Sequence, residues 1–501
     1  MNMILPENTI SDYGPALYDF SLEALDFGPI SACGFKLSPL TLFTGPTNSG
    51  KSYSAMLIYA LFECFKMKGQ YEFYGRSFRF RRSIKKADHN RVFKGEDAFI
   101  KNIQEMNPGD EIPLPESVIK NVYTITLRDL FERKLSEEII RSYATPLKNL
   151  IRSGKRSFRM NLKMNGNTIG INHTKNGLSL KKQPPPLSIK LRKIASMYHT
   201  LSLNKEKNRI EFYLKSNSSE ELSQFMDNLT FSISDLCLTN LLGDLEKTEC
   251  LYLPSARSGI LQGHKALSAS IVRESPYAGI RLFDIPRFSG VVSDFISRII
   301  TLGEEPGPLY ELAVRMEHDL LNGEIGINRT EESHISEICY KQKGMAIPLS
   351  RASSTVSELA PLSLYVKYAV GPGAIVIIEE PEAHLHTENR RLLAKYIARL
   401  VRKGVYVVIN THSEILVEQL NNLILMSELD ERERAKFAGY EKGDYIRPDE
   451  VGAYMFSYDN RSGGFKTKKL HTDRISIHQA NYSTVCEALI TEKNNLRKKL
   501  K

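Results

Sequence analysis

The sequence predicts an α/β fold with a parallel central sheet, and three stretches predict it. The apolar run Leu40-Thr41-Leu42-Phe43-Thr44 leads into Gly45-Pro46-Thr47-Asn48-Ser49-Gly50-Lys51-Ser52, and Ala55 to Phe62 then reads as a helix. Ala374-Ile375-Val376-Ile377-Ile378 is uninterruptedly apolar and ends on Glu379 and Glu380. Val405-Tyr406-Val407-Val408-Ile409 has the same character and ends on Asn410, Thr411 and His412. Strands without a polar face are buried on both sides, as parallel strands are. Polar residues at their carboxyl ends lie where α/β sheets bind ligands.

The first stretch has the spacing of a phosphate-binding loop: glycine, four residues, Gly-Lys-Ser. Its glycines let successive N–H groups turn toward phosphate oxygens, and the following helix adds the positive end of its dipole. All eight residues, Gly45, Pro46, Thr47, Asn48, Ser49, Gly50, Lys51 and Ser52, are expected to cradle ATP. Lys51 reaches the β- and γ-phosphates, and Ser52 ligates Mg2+. Glu379 is expected to hold the magnesium shell, and Glu380 to orient or deprotonate the attacking water.

The chain has 501 residues, enough for two to four domains, with 42% apolar and 25% charged residues. Its six cysteines are widely spaced, which reads as reduced buried thiols and a cytoplasmic location without zinc. No secretory signal is expected, because the start lacks a basic region followed by an apolar core, and no apolar run approaches the ~20 residues that cross a bilayer. The net charge of +10 suits an acidic partner.

Before the loop, Tyr18 to Leu25 alternates as a strand, Phe27-Gly28-Pro29-Ile30 turns, and Phe35-Lys36-Leu37 starts a strand that runs through Pro39 into the loop. From Lys66 to Lys94 basic residues, Arg79, Arg81 and Arg82 among them, outnumber acids and are interleaved with aromatics. That pattern fits either a DNA-binding patch or a solvated face with its aromatics turned inward. Residues 116–149 carry helical spacing, 157–171 read as a hairpin around Asn165-Gly166-Asn167, 209–214 as a strand and 220–245 as a helix, with a rigid Gln183-Pro184-Pro185-Pro186 connector. Cys250 to Leu253 is a strand ending in a polar turn. Its Arg257 suits a phosphate, a facing subunit or plain surface. Residues 289–322 read as an amphipathic helical arm, 389–402 as a helix, 451–458 and 465–470 as strands, and 483–499 as a closing helix. His384 and His386 invite a metal, but no third ligand accompanies them.

Phe27 to Ser52 and the string Glu379-Glu380-Pro381-Glu382-Ala383-His384-Leu385-His386 resemble the ATPase heads of the RecF, SMC and OLD (overcoming-lysogenisation-defect) families. Thr47 departs from the Asn common among those relatives. The resemblance implies an ABC-type P-loop head with an antiparallel β lobe, a helical arm and a basic α+β insertion. Residues 1–65 and 250–480 would form the head, 66–249 the insertion and 481–501 a terminal helix. It also implies that His412 senses the γ-phosphate. Ser353 and Ser354 would be the signature that completes the site of an opposing subunit, so the chain would form a dimer or higher homo-oligomer. Thr355 stands where those families often carry Gly. Gln262 is a weak match to their Q-loop.

OLD proteins continue into a Toprim nuclease, for which this chain has little room and no Asp-x-Asp cluster. An ATP-hydrolysing sensor or regulatory subunit of an anti-phage system is therefore expected, controlling a separate effector nuclease, with no membrane partner. The alternatives are a RecF/SMC-like DNA-repair or chromosome-maintenance ATPase, a transporter subunit, or a scaffold that uses ATP only to assemble.

Overall fold

A computed structural model describes residues 18–66, 92–182, 187–196, 201–204, 208–214, 218–263, 288–329, 336–473, 476–477 and 492. The basic-aromatic stretch with Arg79, Arg81 and Arg82, the proline connector and all but Glu492 of the closing helix lie outside the described residues.

One sheet of eleven strands organises the chain. In chain order its strands are β1 (Phe20–Phe27), β2 (Ile30–Lys36), β3 (Leu40–Thr44), β4 (Arg159–Met164), β5 (Asn167–Thr174), β6 (Gly177–Lys182), β7 (Cys250–Leu253), β8 (Ile375–Glu379), β9 (Tyr406–Asn410), β10 (Val451–Asp459) and β11 (Gly464–Lys469). Their spatial order is β7-β8-β9-β3-β10-β11-β2-β1-β4-β5-β6. From β7 to β10 every pairing is parallel. β10 and β11 form an antiparallel hairpin, β11 pairs with β2 in parallel, and β2, β1, β4, β5 and β6 then pair antiparallel in succession.

The strand expected to run from Phe35 through Pro39 is broken. β2 ends at Lys36, and β3 begins at Leu40 in a different part of the sheet. Pro39 has no N–H for a ladder, and it disfavours a compact backbone at the residue before it, so the chain can leave β2 here. The β10–β11 hairpin, distant in sequence, fills the gap between β2 and β3. Strands of residues 159–182, placed by sequence within the insertion, pair onto β1 and lengthen this same sheet.

The helices used below are α1 (Lys51–Phe65), α2 (Leu135–Tyr143), α3 (Ser219–Leu242), α4 (Gly290–Ile300), α5 (Tyr310–Leu321), α6 (Ser354–Tyr368), α7 (Thr387–Arg402) and α8 (Glu414–Ser427). The arm expected over 289–322 is thus two helices, α4 and α5, separated at Gly303 to Gly307. The two faces of the parallel strands enter two cores, as period-two geometry requires. Ile375, Ile377, Tyr406 and Val408 join α1, α2 and α3 on one face. Val376, Ile378, Val407 and Ile409 join α5, α6, α7 and α8 on the other. Helices on both faces explain why these strands lack any polar alternation. No described helix is long and apolar enough to cross a membrane.

Candidate functional site

Register alone brings the three polar strand ends together. Glu379 pairs with Asn410, and Asn410 pairs with Phe43, so the ends of β8, β9 and β3 lie in one row. Thr411 extends the row by donating its N–H to the Phe43 carbonyl at 3.1 Å. The glycine loop leaves β3 at that row and opens directly into α1.

The loop backbone is unusual at three points: Gly45, Asn48 and Gly50 have φ of 132°, 59° and 101°. Gly45 is required by space as well as by φ. A Cβ there would lie 2.3 Å from the Phe456 carbonyl oxygen of β10. Gly45→Ala is therefore expected to cost about 1–3 kcal/mol of stability and to displace the loop. Thermal melting and a nucleotide titration of the same variant check both effects.

The Lys51 ammonium curls over the loop. It donates to the carbonyls of Gly45 at 3.0 Å and Pro46 at 2.7 Å, and lies 3.5 Å from the Ser49 hydroxyl. Burial lowers its pKa to about 8, against the opposing pull of Glu380, Glu379 and Glu382. The loop tip, Pro46 to Asn48, and Ser52 are exposed.

Glu379 is buried, and its carboxylate is already engaged. Tyr252 of β7 donates its hydroxyl at 2.6 Å, Asn410 its side-chain amide at 3.4 Å and Ser255 its N–H at 3.3 Å. Tyr252 is a residue that the sequence reading passed over. A tyrosine within a buried apolar strand needs a polar partner for its hydroxyl, and that was the available signal. Glu380 stands next, exposed, in the left-handed region with φ 44°. Its N–H donates to the Asn410 carbonyl at 2.8 Å.

Glu382 was also missed. It is 8% exposed, and its Oε1 accepts from the Thr411 hydroxyl at 2.6 Å and the His412 N–H at 2.9 Å. It thereby pins the turn after β8 to the turn after β9. His412 is half-buried, and burial followed by the Lys51 charge lowers its pKa, which favours the neutral imidazole at neutral pH. Ser413 caps α8 by accepting from the Leu416 N–H.

Ser353 and Ser354 are exposed at the start of α6, where the Ser353 hydroxyl caps the helix by accepting from the Val356 N–H. Thr355 is not in a glycine conformation. Its hydroxyl donates to the His384 carbonyl at 2.8 Å, which ties α6 to the Glu382–His386 turn. His384 and His386 are exposed, and no cluster of three or more metal-ligating side chains occurs among the described residues. Gln262 is exposed.

Arg257 corrects the sequence reading. It is 2% exposed and turned inward, so it is not a surface residue. Its guanidinium donates to main-chain carbonyls and lies beside the buried Glu358 carboxylate, and this partnership is what makes a buried arginine tolerable.

A family model described as "AAA ATPase domain" matches residues 22–417. The chain belongs to this family. It is accordingly a nucleotide-binding ATPase in the general sense, and ATP is its expected ligand. No curated protein matches this AAA ATPase domain chain. Among solved structures, an Smc head bound to the C-winged helix domain of ScpA is 12% identical, with 90% of this chain and 97% of that chain covered and a TM-score of 0.34. The SMC head domain from Thermotoga maritima is 13% identical, with 90% and 98% covered and a TM-score of 0.32. An Smc head with an extended coiled coil, bound to the C-terminal domain of ScpA and derived from Pyrococcus furiosus, is 11% identical, with 96% and 99% covered and a TM-score of 0.36. The family assignment rests on the sequence match.

Proposed function

We propose that this chain hydrolyses ATP at the carboxyl ends of β3, β8 and β9, and that it works as the sensor or regulatory subunit of an anti-phage system. The observation that carries the catalytic part is the electrostatic convergence on Lys51. A buried ammonium lies within the field of Glu380, Glu379 and Glu382, and among the described residues it is held by neutral loop oxygens. Phosphate oxygens can replace those carbonyls as stronger, charged acceptors.

The residues fit magnesium nucleotide. Ser52 offers an exposed hydroxyl beside Lys51, and each Glu379 oxygen already accepts protein donors, which suits holding metal-bound water better than direct ligation. The metal would neutralise phosphate charge when bound. Glu380, exposed next to Glu379, is placed to accept a proton from water, and neutral His412 to donate a hydrogen bond to a phosphate oxygen.

The Lys51 shift carries a pH signature. The free ammonium loses its proton near pH 8, and bound phosphate raises that pKa again. ATP binding should therefore take up roughly three-quarters of a proton at about pH 8.5 and little from this group at pH 7, and affinity should fall as pH rises above 8. Calorimetric titration in buffers of different ionisation enthalpy checks this. Equal uptake at both pH values would contradict it.

Ser353 and Ser354, exposed at a helix start, suit contact with the nucleotide of a second copy, so the chain would pair when ATP is bound. Mass photometry of the full chain with and without magnesium ATP tests this: ATP-dependent dimers or larger oligomers are expected, and a mass unchanged by ATP would count against it. The defence role, the separate effector nuclease and a cytoplasmic location rest on the residue resemblance at Phe27–Ser52 and Glu379–His386. Co-purification of the tagged full chain from its native cells tests them, with a nuclease as the expected companion and DNA-repair proteins as the contrary result.

A further inference from the structure

Arg257 heads the largest fully buried side chains among the described residues. The reading of the site above gives it no role. It follows β7 in a turn where Ala256 has φ 55°, and its guanidinium spans the gap to the end of β8. Nη1 donates to the Glu379 carbonyl at 2.7 Å and the Pro254 carbonyl at 3.1 Å, and Nη2 donates to the Glu380 carbonyl at 3.3 Å. Nε donates to the Glu358 carbonyl at 3.0 Å and lies 3.1 Å from the Glu358 carboxylate. Glu358 is 1% exposed, and its Oε1 accepts from the N–H and the hydroxyl of Ser258 at 3.1 and 2.7 Å.

The Glu379 and Glu380 carbonyls belong to the two peptide planes that flank the Glu380 Cα. The Glu379 carbonyl lies in the plane whose N–H is held by Asn410, and the Glu380 carbonyl lies in the plane that follows. Fixing both planes fixes the backbone dihedrals of Glu380. That residue sits at φ 44°, a conformation that side-chain-bearing residues adopt only when their surroundings hold them there.

We propose that Arg257 is a positioning residue for hydrolysis. Clamped by Glu358 at the start of α6, it holds the left-handed backbone of Glu380 and so keeps that carboxylate aimed at the nucleotide. The inference rests on the reading of Glu380 as the base. A planar fork is needed because a lysine ammonium is a point donor that cannot hold both planes at fixed separation.

The test compares Arg257→Lys with the unaltered full chain, using magnesium ATP. ATP affinity should stay within about twofold, while kcat falls by about 10²-fold, the size expected when a catalytic group is displaced by about 1 Å. On a Glu380→Gln background the lysine substitution should cause no further loss, because it acts through that carboxylate. Wild-type kcat in Arg257→Lys, loss of ATP affinity in step with kcat, or a full additional loss on the Glu380→Gln background would each overturn the proposal.

A paired variant, Arg257→Met with Glu358→Met, removes both buried charges and guards against a simple folding defect. It should melt cooperatively, bind ATP and hydrolyse it slowly; hydrolysis at the wild-type rate would overturn the proposal. Failure of the underlying reading shows elsewhere, as full turnover by Glu380→Gln alone.

Discussion

Lys51→Ala should lose ATP binding almost entirely. Lys51 is 6% exposed, and its ammonium is held by two loop carbonyls and, more distantly, the Ser49 hydroxyl. Charged hydrogen bonds contribute about 1.5–3 kcal/mol each, so losing two to phosphate raises the dissociation constant by roughly 10²-fold or more. The variant should still fold, because alanine leaves the loop glycines untouched and relieves a buried charge. The depressed pKa of Lys51 gives the sign. Between about pH 8 and the ordinary lysine value of 10.5 the unfolded chain binds the extra proton, so the free wild-type protein gains stability as pH rises through that window. Lys51→Ala should abolish this gain, and melting curves at pH 7.5 and 9.5 would show it. An unchanged ATP affinity in this variant would mean that nucleotide does not sit in the loop.

Glu380→Gln should bind ATP and fail to hydrolyse it. Gln keeps the size of the side chain and its exposed place after β8 but cannot accept the water proton. A positioned general base contributes about 10²–10⁴-fold, and turnover should fall by that factor while affinity holds. Because Glu380 also faces Lys51, the lost charge should lower the Lys51 pKa further. A small loss of affinity above pH 8 is therefore expected alongside the large loss of rate.

Much of this site was legible because each strand is short, apolar and capped by its polar residues. Thr44 to Ser52, Glu379–Glu380 and Asn410–His412 announce three strand ends, and parallel pairing then has few ways to arrange them. The neighbours of those ends were harder to read. Tyr252 and Glu382 act through side-chain geometry across strands that are far apart in sequence, 127 residues between Tyr252 and Glu379. Arg257 suited a phosphate, a facing subunit or plain surface, because sequence does not display its partner, Glu358, which is 101 residues away.

The break at Pro39 was visible as a proline, but what fills it was not. The β10–β11 hairpin comes from the other end of the chain and matches β3 and β2 only through register. Likewise residues 157–171 read as an ordinary hairpin, and only the open edge of β1 explains why β4 to β6 lengthen the head sheet. Thr355 stands where the resembling families often carry Gly, and sequence did not display the hydrogen bond that its hydroxyl donates to the His384 carbonyl.

The most direct test of a hydrolytic site shared by Lys51 and Glu380 is the chemical identity of the nucleotide held by Glu380→Gln. The full-length variant would be incubated with magnesium and γ-labelled ATP, separated from free nucleotide, and its bound fraction resolved by chromatography. The account predicts intact ATP on the variant, under conditions where the wild-type protein has released labelled phosphate. ADP on the variant, formed as fast as on the wild type, would contradict it.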